Sequence, residues 1–186
     1  MSQIGVSDFK FAIMTDGTDV KGGTATYGEW VEVPGLVSIN VKSNGSVVTN
    51  FADNGPFETA ANLGEISVAI EHADLQDDVR AKLLGHALGA TGEMVYNAED
   101  VAPYVALCFT GKQADGSKKH VKLLKVKFSE FGDDFQTEKA SVEFRNYSIE
   151  GQASIRICDK LWKKTLDERN NGVTPTDITT FLATVD

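Results

Sequence analysis

The chain has little of what disulfide-stabilised or metal-dependent proteins usually contain. Only two cysteines, Cys108 and Cys158, occur among its 186 residues. Both lie in apolar segments, and we interpret them as buried, reduced thiols because disulfides are rare in cytosolic proteins. The three histidines, His72, His86 and His120, lack the close spacing of metal ligands. The sequence therefore indicates neither a disulfide framework nor a metal site.

Basic residues and long apolar runs are also scarce. Lys and Arg number 18 against 27 Asp and Glu, which gives a formal net charge of −9. This balance argues against binding nucleic acid by phosphate neutralisation, which needs clustered basic residues. No apolar run approaches the ~20 residues that span a bilayer, and the first residues do not resemble a signal peptide. We therefore expect a protein that is made and kept in a cytoplasm.

Motifs of known catalytic chemistry are absent as well. The pair Gly22–Gly23 lacks the Lys-Ser/Thr that completes a phosphate-binding loop, and no serine lies in a nucleophile elbow. We interpret the acidic pairs Asp77–Asp78 and Asp133–Asp134 as a first helical turn and a loop. The sequence predicts no enzyme, and we expect no cofactor and no metal.

Short segments with apolar residues at every second position dominate the chain and predict a β-rich domain. A length of 186 residues with 41% hydrophobic residues suits one domain with a sizeable core. Strands are predicted at 9–13, 29–33, 37–41, 47–51, 65–71, 104–109, 119–128, 139–149 and 152–158.

Turn-forming residues predict where these strands connect. The pairs Asn44–Gly45, Asp115–Gly116 and Glu150–Gly151 predict turns between neighbouring strands. The four glycines of segment 16–28 predict a mobile hairpin loop. Segment 42–64 is a long connection with little apolar content to bury, and long loops are uncommon unless they are functional. We therefore interpret it as an exposed contact arm.

In the strand predicted at 119–128, the apolar residues move from one alternating set of positions to the other near the middle. A β-bulge near Leu123–Leu124 would keep its apolar side chains on one face. Lys122, Lys125 and Lys127 would then face solvent, and we interpret them as protection of a sheet edge, where lysines are common.

The clearest alternation lies at the centre of the chain. Ile66, Val68 and Ile70 form the buried parity of a strand, and His72 continues it as a core histidine. The opposite parity is small or acidic and consists of Glu65, Ser67, Ala69 and Glu71.

A helix is predicted directly after this strand, at 75–85. Asp74 is expected to cap it and Gly85 to end it. Leu75, Val79 and Leu83 are spaced four residues apart and form an apolar stripe. We expect this stripe to pack against the β core.

The C-terminal part has a different character. We divide the chain into a β domain at 1–159 and an extension at 160–186. Thr174 and Pro175 predict the cap and first residue of a short helix. Its apolar stripe (Ile178, Phe181, Leu182 and Val185) must be buried on the same subunit or on a neighbour.

Several segments, in the right order between about residues 3 and 155, resemble the major tail proteins of long-tailed bacteriophages of Gram-positive hosts. The region from residue 160 onwards is less typical. The segments that carry the resemblance are 52–60 (ADNGPFETA), 63–65 (LGE), 83–86 (LLGH), 96–107 (YNAEDVAPYVAL), 128–130 (FSE) and 137–139 (TEK).

This resemblance implies a structural virion protein with a β-sandwich or barrel, one flanking helix and extended loop arms. Such subunits assemble in the host cytoplasm into hexameric rings that stack as the tail tube, through which DNA leaves the capsid. The implied partners are further copies of the chain and the tape measure, tail terminator and distal tail proteins. DNA would pass through the tube without specific binding, and no membrane is involved.

Two surfaces follow as hypotheses for such a tube. The strand face that carries Glu65, Ser67, Ala69 and Glu71 is the candidate lining of the channel. The candidate contacts between rings are Asn44, Asp53, Asn54, Gly55, Pro56, Phe57 and Glu58.

The alternative is a receptor- or carbohydrate-binding β-sandwich module of a phage tail tip or baseplate. Such a module would be expected to carry clusters of exposed aromatic residues on its loops, and the loops here carry few.

Overall fold

A computed structural model describes residues 2–52, 54–132, 137 and 146–185. With 46% strand and two helices, the protein is mainly β, which confirms the predicted fold class of a β structure with a flanking helix. The strands are β1 (Gln3–Ile13), β2 (Val31–Glu32), β3 (Leu36–Ser43), β4 (Val47–Ala52), β5 (Gly55–Ala61), β6 (Ile66–His72), β7 (Ala87–Leu88), β8 (Met94–Val95), β9 (Val105–Gln113), β10 (Lys118–Phe128), β11 (Tyr147–Ala153) and β12 (Lys163–Asp167). The helices are α1 (Asp77–Leu84) and α2 (Pro175–Ala183).

One large antiparallel sheet organises the molecule. Its strands follow the order β2-β1-β9-β10-β11-β6-β3, and β12 also pairs with β10. The two end regions approach each other, because β1 and β3 come into contact. The sheet is therefore strongly curved and wraps around one core. Two small hairpins, β4-β5 and β7-β8, lie outside it.

The core fills the concave side of this sheet. Five strands contribute fully buried side chains to it, among them Phe11, Ile70, Leu107, Leu123 and Ile149. Strand β9 is buried on both faces over most of its length. The alternation predicted for segment 65–71 is also confirmed, since successive residues of β6 are buried and accessible in turn.

Helix α1 begins later than predicted, and the expected cap at Asp74 is wrong. The N-cap is Gln76, whose backbone is extended and whose side chain makes no capping hydrogen bond. Asp74 lies two residues before this position and cannot reach the free N–H groups of the first turn. Asp77 and Asp78 occupy that turn as predicted, and Gly85 ends the helix in the left-handed conformation at φ 80°.

The apolar stripe of this region faces the sheet. Val79 and Leu83 lie on α1, whereas Leu75 lies in the connection before it. All three belong to the same core cluster as the strands, and Leu83 is fully buried. The helix thus covers one end of the curved sheet.

Strand β10 contains a β-bulge, as predicted from the change in its apolar alternation. Its lysines, however, do not protect an edge. The register with β9 shifts between Leu123 and Val126. Lys122 is fully buried, Lys125 is 8% exposed and Lys127 is partly buried. The strand is not an edge, because β10 pairs with β9 on one side and with β11 and β12 on the other. The expectation that these lysines face solvent is also wrong, because α2 contacts Lys122 and the loop that contains Asp19 contacts Lys125.

The turn predicted at Asn44–Gly45 is also wrong. Strand β3 pairs with β6, and β4 pairs with β5, so segment 36–72 is one long hairpin in two parts. At the junction the two segments of the hairpin cross very closely. A Cβ on Gly64, which has φ +63°, would lie 2.3 Å from the Asn44 carbonyl oxygen. A Cβ on Gly45 would lie 2.3 Å from the Asn62 carbonyl oxygen. These two glycines therefore separate the part in the main sheet from the part outside it.

The other two predicted turns have different outcomes. Asp115–Gly116 connects β9 and β10 as predicted. Glu150–Gly151 is not a turn, because both residues lie inside β11 and pair with β6. Of the strand predicted at 139–149, residues 139–145 lie outside the described residues.

The C-terminal region is joined to the main sheet. Strand β12, which falls in the segment 160–186, pairs with β10 along five residues. Helix α2 then begins as predicted, with Thr174 as N-cap and Pro175 in the first position. The Asp177 side chain completes a capping box with Thr174. In the described part of the chain, no helix is long and apolar enough to cross a membrane.

Candidate assembly surfaces

The outer part of the long hairpin forms a projecting ribbon, which we call the arm (residues 46–62). Among the described strands, β4 and β5 pair only with each other. Phe51 is 70% exposed and Phe57 is 72% exposed, and Val47 and Val48 are also exposed. None of these four side chains belongs to the core cluster. Large apolar side chains grouped on an exposed element typically mark an interaction site.

The residues predicted as contacts between rings lie mostly at the outer end of this arm. Asn54 has φ 61° and precedes β5, whose first residues are exposed or only partly buried. Asn44 lies instead at the base, where its backbone N–H donates to the Glu65 carbonyl oxygen over 2.8 Å. The predicted contacts Gly55, Pro56, Phe57 and Glu58 all lie in β5. Asp53 lies outside the described residues.

Sequence reasoning missed the apolar residues of β4. Segment 42–64 was interpreted as poor in apolar content, yet Val47, Val48 and Phe51 form much of the exposed apolar surface of the arm. The signal that could have found them is the adjacent pair Val47–Val48. In a ribbon, neighbouring residues point to opposite faces, so this pair places an apolar side chain on each face of the arm.

The candidate channel face lies on the convex side of the sheet. Glu65, Ala69 and Glu71 are exposed, and Ser67 is partly buried. The Ser38 hydroxyl donates to the Glu71 carboxylate over 3.2 Å. Direct neighbours across the ladder have side chains on the same face. In this face, Ser38, Asn40 and Lys42 of β3 and Ser148, Glu150 and Gln152 of β11 flank Glu71, Ala69 and Ser67. The resulting surface is small and polar.

Two sheet edges face each other across a groove. Strand β1 pairs with β2 only at Lys10 and Phe11, so the edge formed by residues 3–8 has no strand on that side among the described residues. The edge of β3 opposite β6 is likewise unpaired in the described chain. The groove between them has a volume of about 560 Å³, and its lining includes Phe9, Gly35, Leu36 and Leu182. Free edges of this kind are templates for pairing with another chain.

A cluster of titratable side chains lies at the end of α1 and centres on His86. Its Nδ1 lies 2.7 Å from an oxygen of Asp100, and its Nε2 lies 2.9 Å from an oxygen of Glu130. Arg80 donates to the Phe131 carbonyl oxygen over 3.0 Å and lies 3.8 Å from Glu130. The imidazole therefore joins α1, the loop before β9 and the segment after β10.

The charges around His86 determine its protonation. The hydrogen bond with Asp100 raises the pKa of His86, burial opposes this effect, and Glu130 raises the pKa further. The same pair lowers the pKa of Asp100. A histidine between two carboxylates could act as a base, but no Ser, Cys or Thr side chain is described in contact with it. Within the described residues, no cluster is arranged to hold a metal ion. The arrangement is suited to clamping three segments together.

A second network fixes the glycine-rich loop at 16–28. One oxygen of Asp19 accepts a hydrogen bond from Lys125 Nζ over 2.6 Å. The other accepts from the backbone N–H groups of Ile157 and Cys158 over 2.7 and 3.0 Å. Burial raises the pKa of Asp19, but these hydrogen bonds outweigh it and lower the pKa to about 2. The loop predicted to be mobile is therefore tied to β10 and to the segment after β11.

A third network lies beside it. The Tyr27 hydroxyl donates to the Leu124 carbonyl oxygen over 2.7 Å and accepts from Arg156 over 3.2 Å. Arg156 also pairs with Asp159. The Leu124 carbonyl lies at the bulge of β10, where ladder pairing is interrupted. The Tyr27 hydroxyl thus gives the Leu124 carbonyl a hydrogen-bond donor at a point where the neighbouring strand provides none.

Taken together, these features define a mainly β protein with an exposed apolar arm and two free sheet edges. Its described polar clusters hold segments of the chain together. A comparison with models of known protein families found no match, and a comparison with curated proteins found none.

Proposed function

We propose that the protein is a phage tail tube subunit, whose activity is self-assembly into stacked hexameric rings. The observation that carries this proposal is the arm, which presents four large apolar side chains to solvent, outside the core cluster formed by the described residues. The sequence resemblance to major tail proteins supports it. A structural role also agrees with the described polar clusters, whose contacts join separate segments of the chain.

The arm has the properties of a contact between stacked rings. Burying a Phe or Val side chain contributes roughly 1.5–3 kcal/mol, so four such side chains repeated six times around a ring would supply a large stacking energy. The base of the arm is constrained by the close crossing at Gly45 and Gly64. A constrained base limits the orientations that the arm can adopt, and it therefore lowers the entropy lost on docking.

The free edges of β1 and β3 have the properties of a contact within a ring. Adjacent subunits placed head to tail can pair such edges through backbone hydrogen bonds, and a rotation that closes gives a ring. A strand of the neighbouring subunit that pairs with either edge would occupy the groove between them.

The convex face of β3, β6 and β11 is the proposed channel lining. It carries Glu71 and Glu150 against Lys42, so it presents few cations to passing DNA. Each Lys or Arg contact with a phosphate adds salt-dependent affinity, and a polar, weakly acidic lining avoids such drag. Under this proposal, Glu65→Lys combined with Glu71→Lys leaves assembly intact but slows DNA ejection at low salt, and added salt restores the rate.

The control for this test is a pair of Glu→Lys substitutions outside the proposed channel face. Glu93→Lys and Glu99→Lys change the net charge equally on loops outside the sheet. Tails of normal length that eject DNA at the wild-type rate at low salt in the first variant would contradict the assignment of this face to the channel.

Negative-stain electron microscopy of the concentrated protein tests the function itself. We expect rings or hollow tubes in the wild type. Persistent monomers at high concentration, with the circular dichroism of a folded β protein, would contradict the proposal.

The exposed aromatic residues of the arm also favour a second candidate, a receptor- or carbohydrate-binding module of a tail tip. Phe51 and Phe57 could stack on a ligand instead of on a second subunit. Replacing both with Ser distinguishes the two candidates. A loss of tube formation supports the tail tube subunit, whereas a loss of adsorption to host cells by a protein that never forms tubes supports the module.

A further inference from the structure

The end of α2 is held by three donors from the body of the protein. Lys10 Nζ donates to the Leu182 carbonyl oxygen over 2.6 Å, and Trp30 Nε1 donates to that of Ala183 over 3.2 Å. Lys122 Nζ donates to the Thr184 carbonyl oxygen over 2.8 Å. The last carbonyls of a helix have no partner within the helix. Three successive orphan acceptors are thus satisfied by side chains from outside.

Cations predominate at this contact. The negative end of a helix dipole favours cations nearby, and Lys10 and Lys122 flank Cys108 in adjacent strands of the sheet. Lys122 Nζ also lies 4.2 Å from the centre of the Phe181 ring, and Lys10 Nζ lies 5.0 Å from the centre of the Trp30 ring. Cation–π contacts of this kind add to the attraction.

The rest of α2 is weakly attached. No residue of the helix is buried, and Ile178, Phe181, Leu182 and Val185 of its apolar stripe are only partly buried. The segment between β12 and α2 contains Asn170, Asn171 and Gly172, all exposed. A helix that contributes little buried apolar area is held mainly by its polar end contacts.

The contact also lies beside a free sheet edge. Leu182 lines the groove between the β1 and β3 edges. Trp30 immediately precedes β2, and Lys10 pairs with Glu32 of β2. The last turn of α2 therefore stands where a strand of a second copy would have to approach the β1 edge.

We propose that α2 is a strap, closed by the contacts of Lys10, Trp30 and Lys122 with its last carbonyls, that covers the β1 edge and delays association of subunits until it opens. The gating role rests on the proposed function, because it assumes that subunits associate through this edge. Natural proteins commonly cover edge strands with a helix or loop to prevent unwanted pairing. In a protein that assembles, such a cover must be removable, and a contact made by one helical turn meets this need.

Hydrogen–deuterium exchange of the full chain, at a concentration where it is monomeric, tests the closing contacts. Lys122→Gln removes a charge-assisted hydrogen bond, and we expect exchange in residues 174–185 to become about tenfold faster. Lys10→Gln is a second variant at a less buried position and is expected to act in the same direction. Lys119→Gln is the matched control, because Lys119 is exposed on the same strand. Unchanged exchange in both variants would overturn the proposal.

Light scattering during concentration tests the consequence. Lys122→Gln, and a chain that ends at Val173, should associate faster than the wild type and the Lys119→Gln control. Equal rates in all four proteins would overturn the strap even if all of them form tubes, and the tail tube function would then stand. Faster association into particles that are neither rings nor tubes would support the strap and contradict the tube.

Discussion

Asp19→Asn should destabilise the protein at neutral pH although it changes one side chain in a glycine-rich loop. The Asp19 carboxylate joins three segments, through Lys125 on β10 and through the backbone N–H groups of Ile157 and Cys158. The side chains of Asp19 and Lys125 are only 6% and 10% exposed. Asparagine retains the shape of the side chain but removes the charge that faces Lys125.

The expected loss follows from the pKa of Asp19. At ~1.36 kcal/mol for each pKa unit, a decrease from 3.8 to about 2 corresponds to roughly 2 kcal/mol. Because the pair lies near the surface, solvent screening reduces this to between about 1 and 2 kcal/mol. The Lys125 charge, left without its carboxylate, contributes in the same direction.

The pH dependence has a definite sign. The folded pKa of Asp19 is below the unfolded one, so its contribution is fully present above about pH 4 and is lost as the pH falls towards about 2. The free energies of unfolding of the wild type and of Asp19→Asn, measured with urea, should therefore converge as the pH falls through this range. Asp16→Asn is the matched control, because Asp16 is exposed in the same loop.

A double-mutant cycle with Lys125→Met separates the pair from other effects. The two single substitutions should each destabilise, and together they should cost clearly less than their sum. The reasoning is refuted if Asp19→Asn loses no more stability than Asp16→Asn, or if the difference from the wild type does not change with pH.

Three further outcomes are expected. Leu83→Asp places a charge at a fully buried position and should cost several kcal/mol or prevent folding, whereas Leu88→Asp at an exposed position should melt near the wild type. His86→Gln should flatten the pH dependence of the free energy of unfolding above pH 6.5, the value from which folding raises the pKa of His86, because such a histidine stabilises the fold below its unfolded pKa and loses this contribution as the pH rises through its folded pKa. Deleting 45–64 together with Glu65→Gly leaves a two-residue turn between β3 and β6, and it should give a folded monomer that forms no tubes in electron micrographs.

Local patterns predicted much of the fold because they depend on nearby residues. The alternation in β6, the wholly apolar run in β9 and the turn at Asp115–Gly116 each occur within one or two strands. The caps at Thr174 and Gly85 have the same local character. In these cases the backbone conformation is set by side chains a few residues away, and a single sequence contains that information.

Pairings between distant segments could not be predicted in the same way. Asn44–Gly45 has the composition of a tight turn, but β3 and β4 each pair with a later strand instead of with each other. Glu150–Gly151 likewise has turn residues, yet β6 and β10 hold both inside β11. The pairing of a long ladder outweighs a local turn preference, and the partner strand is not visible in the local pattern.

The surface residues were predicted in part. The arm was placed in the correct segment because a long polar connection stands out, but its apolar residues in β4 were missed. The polar parity of β6 was found because alternation is local, whereas its neighbours on β3 and β11 depend on register. Asp19, Arg80 and Glu130 gave no signal, since each matters only through a partner far along the chain.

The lysines of β10 show how such long-range contacts affect the functional proposal. An exposed row of Lys122, Lys125 and Lys127 would be the most attractive surface for DNA on this sheet, and would conflict with a tube through which DNA must pass freely. The structure covers most of this row. Lys122 lies under α2 and Lys125 lies under the loop that contains Asp19. Both ammonium groups are therefore kept away from the surface, and the Asp19 carboxylate also balances the charge of Lys125. The surface left to solvent is therefore more acidic than a reading of the strand alone would suggest, in agreement with the net charge of −9 and with the small, weakly acidic face proposed for the channel.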